Sequence, residues 1–235
     1  PSDSWRPNAH GATLASDIAG LIGQLAGGQR VHLIGQDWGA VISYAVLAGF
    51  PELIERAIVM AVPHPAAVMK SVLDPRHVHH SFHWWYFQLP GLPEQALAAN
   101  NFAFIDYLWR YWSAPSHEDA AHIADIKRML AEPGALTATL GYYRAMFDPG
   151  KADPRLESLR QSMNRPISVP TLALCGGVDP RDELMRDQAQ YFTGEYRYEV
   201  VPGAGHFLHR ERPAEVNRLI LEWLTPASGQ PSTGR

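Results

Sequence analysis

Apolar residues recur along this chain with two periods, and the changes of period outline the molecule. Leu14, Ile18, Leu21, Ile22 and Leu25 recur at helical spacing and stop at Gly27-Gly28, which predicts a helix over residues 10–26. The short apolar run at residues 30–35 suits a buried strand, and a second helix is predicted over 39–50, ended before Pro51. Further buried strands are predicted at 57–62, 169–175 and 196–201. A polar helix is expected over 183–192, and a last helix over 214–224 follows Pro213, a residue that suits a first helical turn. Strands alternating with helices imply an α/β fold, a mostly parallel sheet with helices on both faces.

The alternation breaks between residues 66 and 165. No strand pattern stands there, and four of the seven tryptophans do: Trp84, Trp85, Trp109 and Trp112, against Trp5, Trp38 and Trp223 elsewhere. Pro90-Gly91 and Pro133-Gly134 mark breaks, and Ser116-x-x-Asp119 resembles a capping box. Residues 66–165 are therefore expected to form an all-helical cap inserted between the sheet segments 1–65 and 166–225. The Pro/Ser/Gly-rich tail, 226–235, is expected to be disordered.

Composition narrows the function. With 46% hydrophobic and 19% charged residues, the chain can bury a substantial core. A net charge of −4 and the lack of Lys/Arg runs argue against nucleic acid and anionic membranes. No apolar stretch reaches the roughly 18–20 residues of a membrane span. The one cysteine, Cys175, excludes an intramolecular disulfide and fits a cytoplasmic address.

Three strand ends carry the candidate chemistry. Gly35-Gln36-Asp37-Trp38-Gly39 sits where a strand meets a helix, the turn that lifts a nucleophile off a sheet, with Asp in place of Ser. Gly176-Gly177-Val178-Asp179 and Gly203-Ala204-Gly205-His206 follow the next functional strand ends. Taken singly, the Asp37 motif favours a nucleophile over a helix cap, whereas Asp179 reads equally as a turn residue and His206 as a surface histidine. Together, in that order, they read as nucleophile, acid and base. Val62-Pro63-His64-Pro65 ends another strand but offers no acid. A carboxylate nucleophile displaces a leaving group on saturated carbon and forms an ester, which a His-activated water then cleaves. His206 is the expected base, Asp179 its orienting acid, and the Trp38 backbone N–H an oxyanion donor.

These motifs, with Glu211-Arg212-Pro213 behind the histidine, resemble the epoxide hydrolase and haloalkane dehalogenase branch of the α/β-hydrolases over residues 4–224. The run from Phe87-Gln88-Leu89-Pro90 to Gly91-Leu92-Pro93-Glu94, and Tyr142-Tyr143-Arg144, are similar to epoxide hydrolases in particular. The resemblance implies an α/β-hydrolase fold and ring opening assisted by two cap donors. Tyr143 matches one; His83 stands where tyrosine is commoner, as in a His/Tyr subgroup, and a histidine titrating near neutrality would make ring opening pH-sensitive. Trp84, Phe87, Tyr142 and Phe207 are expected to line an apolar substrate site. The expected partners are a small apolar epoxide and water, with a homodimer possible and no cofactor or metal. His77, His79, His80 and His83 are read as a solvated cap face rather than ligands.

Two other functions stay open. A haloalkane dehalogenase would hold halide between the Trp38 and Trp84 N–H groups; Gly39, Ala40 and Val41 lack the arginines that a fluoroacetate substrate requires. A non-catalytic binder of small apolar ligands is the third. The family also begins with further strands and a His-Gly-x-Pro oxyanion loop, absent here, so the chain reads as N-terminally truncated with an exposed sheet edge.

Overall fold

The computed structural model describes residues 10–225 except Ser116, Pro149 and Lys151. The opening residues with Trp5, Ser116 of the expected capping box, and the tail from 226 lie outside the described residues. Four strands, β1 (Val31–Gln36), β2 (Ile54–Met60), β3 (Thr171–Gly176) and β4 (Tyr196–Val201), pair in parallel in that order. Among the described residues β1 is an edge, with Ile34 exposed.

The period of two along the strands divides the core. Ala57, Val59, Ala173 and Cys175 face one side, against Ala15 of α1 (Gly11–Leu25) and Ala40, Tyr44 and Leu47 of α2 (Trp38–Gly49). Ile58, Met60, Leu172 and Leu174 face the other, against Val216, Leu219 and Trp223 of α12 (Pro213–Leu224) and Leu208 of the short α11 (Leu208–Glu211). Burial of each leucine-sized side chain contributes about 1.5–3 kcal/mol. Both sides of the inner strands are covered, which is why they read as continuous apolar runs.

Two departures from the expected boundaries have a visible cause. β2 starts at Ile54, because Ile54 and Arg56 pair with Val31 and His32, and ends at Met60, where Ala61 turns to a φ of 64°. The polar helix over 183–192 is two pieces, α10 (Asp182–Arg186) and a 3-10 turn at Gln188–Tyr191. Gln188 explains the interruption. It is fully buried, accepting from the His64 backbone N–H at 2.7 Å and donating to the Tyr196 hydroxyl at 3.0 Å.

Between β2 and β3 the described residues form seven α-helices: α3 (Pro65–Ser71), α4 (Pro75–His80), α5 (Phe82–Tyr86), α6 (Leu92–Trp112), α7 (Ala120–Leu130), α8 (Ala135–Met146) and α9 (Glu157–Ser162). Phe87, Leu97, Leu108 and Leu140 give them a core of their own. Gly91 and Gly134 take left-handed turns at the starts of α6 and α8, so both Pro-Gly breaks fall at helix ends. A break inside α6 was not foreseen: Asn100, Asn101 and Phe102 are left-handed in succession. The capping box is also corrected. α7 begins at Ala120, so Asp119 precedes it instead of standing in its first turn, and its carboxylate pairs with Arg210 of α11. α9 returns to the sheet layer, with the Leu159 side chain filling the space beside Gly49 of α2.

Candidate active site

The turn from β1 into α2 holds Asp37 at φ 53° and ψ −122°, a sparsely populated conformation for a residue with a side chain. Holding it there costs on the order of 1–3 kcal/mol. Gly35 makes the turn feasible: a Cβ on it would stand 2.3 Å from the Gly39 carbonyl oxygen. The Asp37 N–H donates to the Met60 carbonyl at 3.3 Å, tying the turn to β2. Trp38 opens α2, one residue earlier than the sequence suggested, so its backbone N–H lies outside the helix ladder.

The loop after β4 folds back across the end of β3. The Val178 N–H donates to Ala204 at 3.0 Å, and a Cβ on Gly176 would meet the Gly205 and Ala204 carbonyls at 2.2 and 2.3 Å. His206 thereby reaches across the sheet to both aspartates. Its Nε2 is 2.7 Å from Asp37 Oδ2, and its Nδ1 is 3.1 Å from Asp179 Oδ2. The Asp37 side chain is 35% exposed, whereas those of His206 and Asp179 are 1% and 0% exposed. Only the carboxylate at the front is reachable.

Electrostatics follow from this packing. Burial alone would raise the Asp37 carboxyl, but the His206 hydrogen bond and the charges of His206 and Arg181 hold it down at about 2. Asp179 is likewise lowered against its burial by His206 and Arg181. Burial disfavours the His206 cation, yet its hydrogen bonds to Asp179 and Asp37 raise its basicity overall.

His83 and Tyr143 stand over this site from α5 and α8, ring centres 5.4 Å apart. Tyr143 packs edge-on against Trp38 at 5.3 Å. Burial and the nearby Asp37 charge raise the Tyr143 hydroxyl, so it keeps its proton. Burial, with the Arg181 charge, pushes His83 down to about 3. Burial of this kind favours the neutral imidazole over the near-neutral titration that the sequence suggests.

The other expected residues divide. Tyr142 packs on Trp38 at 5.3 Å, and Phe207 stacks on Trp109 at 3.8 Å beside His206. Phe87 is buried behind the two donors, 5.0 Å from Tyr143 and 5.8 Å from His83. Trp84 lines a crevice with Ser71, Val72, His77, Val78, Ser81 and Trp85, none of them a triad residue. The histidine cluster is not one solvated face: His77, His80 and His83 are buried and only His79 is exposed.

Sequence reasoning missed several supports. Gln36 donates to the His206 carbonyl at 3.2 Å. The Glu211 carboxylate accepts from the backbone N–H groups of Gly205, Phe207 and Ala114 at 2.7, 3.1 and 3.0 Å. Glu211 thus clips the His206 loop to the end of α6, where the Trp112 carbonyl also accepts from the His206 N–H at 2.8 Å. A glutamate five residues after the histidine was the only sequence signal. Arg181 lies 3.1 Å from His206 Nδ1, with nothing in its local sequence to announce it.

A parallel sheet with an acid–base triad on its strand ends, overlain by helices, defines an α/β-hydrolase. The chain belongs to the alpha/beta hydrolase family, which it matches over residues 1–219. It is 32% identical to AB hydrolase superfamily protein YfhM of Bacillus subtilis, covering 94% of this chain and 73% of that protein. It is 31% identical to Epoxide hydrolase 3 of Xenopus tropicalis and 26% to human Epoxide hydrolase 4, over 90% of this chain. It spans only 57% and 58% of the lengths of those two relatives. Among solved structures it superposes on Cfl2 of Burkholderia cenocepacia with a TM-score of 0.78 at 21% identity, over 95% of this chain and 74% of that one. No helix among the described residues is long and apolar enough to cross a membrane.

Proposed function

We propose that this chain carries the catalytic machinery of an epoxide hydrolase that turns a small apolar epoxide into a vicinal diol. The observation behind it is the reachable, ionised carboxylate of Asp37 at the elbow, 2.7 Å from a sealed His206. Asp37 attacks one epoxide carbon; that carbon's bond to oxygen breaks, and the freed oxygen takes a proton from Tyr143 or His83. Forming the ester removes the Asp37 charge, one of the two that favour protonated His206. Neutral His206 then accepts a proton from water through Nε2 while the water oxygen bonds to the ester carbonyl carbon, with the Trp38 N–H facing the developing oxyanion. The bond from the carbonyl carbon to the diol oxygen breaks, that oxygen takes the water's second proton from the Asp37 carboxyl group, and the proton collected by His206 restores its starting charge, its earlier proton having repaid the one lent by Tyr143 or His83. The similarity to proteins named epoxide hydrolases supports the same reading. The chain contains no His-Gly-x-Pro motif, so Trp38 is the oxyanion donor it supplies itself.

The test is the intact mass of a His206→Ala variant after exposure to an aliphatic epoxide and, separately, to a bromoalkane. Without its base the ester accumulates, so a gain equal to the whole epoxide is expected, absent when Asp37 is also changed to Asn. A gain equal to the alkyl group, from the bromide alone, would replace this function by dehalogenation. No adduct from either reagent would favour ligand binding without turnover.

A further inference from the structure

Arg181 is a buried cation in contact with the histidine of the triad. Its side chain is 8% exposed, and its NH1 nitrogen lies 3.1 Å from His206 Nδ1 and 3.8 Å from Asp179 Oδ2. No other carboxylate pairs with it among the described residues. A guanidinium only donates, and Nδ1 also lies 3.1 Å from Asp179 Oδ2. When Nδ1 carries its proton toward Asp179, as a base acting through Nε2 requires, Arg181 contributes charge rather than a hydrogen bond.

The charges make its effect specific to one stage. Before reaction Asp37 and Asp179 carry two negative charges and Arg181 one positive, so a protonated His206 brings the group to neutrality. Once Asp37 is an ester, Asp179 and Arg181 balance each other, and the group is neutral only if His206 gives up its proton. Around His206 stand Asp37 from the β1 turn, Asp179 and Arg181 after β3, His80 from α4, His83 from α5, and His209 and Glu211 from α11, the Glu211 carboxylate being held by the Gly205 and Phe207 N–H groups. Burial keeps His80, at about 3, and His83 uncharged, and lowers His209 as well, so Arg181 is the permanent cation of the set.

We propose that Arg181 is a positioning residue that discharges His206 once Asp37 has been esterified, making it the base for the second half of the reaction. This rests on the assignment of His206 as base, but its first test does not require turnover. Asp37→Asn mimics the uncharged ester, and the His206 ring can be titrated in it by NMR. Adding Arg181→Met or Arg181→Gln is expected to raise the His206 midpoint by roughly 1–2 pH units, and Arg181→Lys to leave it nearly in place. The glutamine variant keeps a donor and serves if the methionine variant does not fold. An unmoved midpoint in the neutral variants, or an equal rise with lysine, would overturn the proposal. In single turnovers with an epoxide, Arg181→Gln should shift the inflection of ester hydrolysis upward by the same amount and slow ester hydrolysis more than ester formation. Loss of rate at every pH with an unmoved inflection would mean a merely structural role. Failure of the Asp37 ester to form at all would remove the epoxide hydrolase function instead, with the NMR shift still standing or falling alone.

Discussion

The sheet layer and the helical layer both supply polar groups to the candidate site, but in opposite charge states. From the strand ends come Asp37, Asp179, His206 and Arg181, which charge one another in a cluster sealed at the back. From the helices come His83 and Tyr143, which burial holds neutral and protonated. The supports differ too. The sheet groups hang on backbone packed so closely that glycines at 35 and 176 leave no room for a methyl. The helical groups are held by ring contacts, His83 by Phe87, Trp112 and Tyr143. Charged chemistry sits where backbone geometry is least adjustable, and neutral donors sit where side chains can repack around a substrate.

The largest test of this contrast is Gly35→Ala. The added methyl would lie 2.3 Å from a backbone oxygen of the same turn, which cannot move without moving Asp37. A stability loss of about 3 kcal/mol or more is expected from denaturant titration. A loss below about 1 kcal/mol would show that the turn is softer than its packing indicates.

On the helical side the expected effect is on rate. Tyr143→Phe removes a proton donor while keeping the ring that packs on Trp38 and Phe87. Ester formation should slow by about 100-fold with the folded state intact, read by the rate of mass gain in the His206→Ala background. An unchanged rate would assign the proton to His83 or to water.

The smallest expected effect is a missing inflection. In that background His83 should add no inflection to ester formation between pH 5 and pH 8, as its pKa is pushed to about 3. An acid limb that persists in His83→Gln belongs to Asp37, which has lost its partner and which burial then raises. An inflection near 6.5 that disappears in His83→Gln would show that His83 is charged in the working site.

Some of this was legible before any coordinates. The triad residues were readable because each follows a strand by a few residues, and parallel strands place such loops at one end of the sheet. The glycines around Asp37 and His206 carried the same message. The alternation within β2 and β3 was concealed, because both faces are covered and the positions at 57–60 and 172–175 are all apolar. The interruption at Gln188 was hidden in a polar stretch, and only its partners His64 and Tyr196 show why it turns inward.

What the sequence determined by itself was local: which segments bury themselves, where helices break at Pro-Gly, and that Asp, Asp and His stand at strand ends. Tertiary structure alone decided which groups meet. Gln36 and His206 are 170 residues apart, and Glu211 joins its loop to Ala114 across 97. It also decided environment, burying His77, His80 and His83 of a cluster that reads as solvated and setting an ordinary arginine beside His206. The physical reason is that periodicity and turn chemistry act over a few residues, whereas dielectric environment and charge pairing depend on everything within several ångströms, whatever its place along the chain.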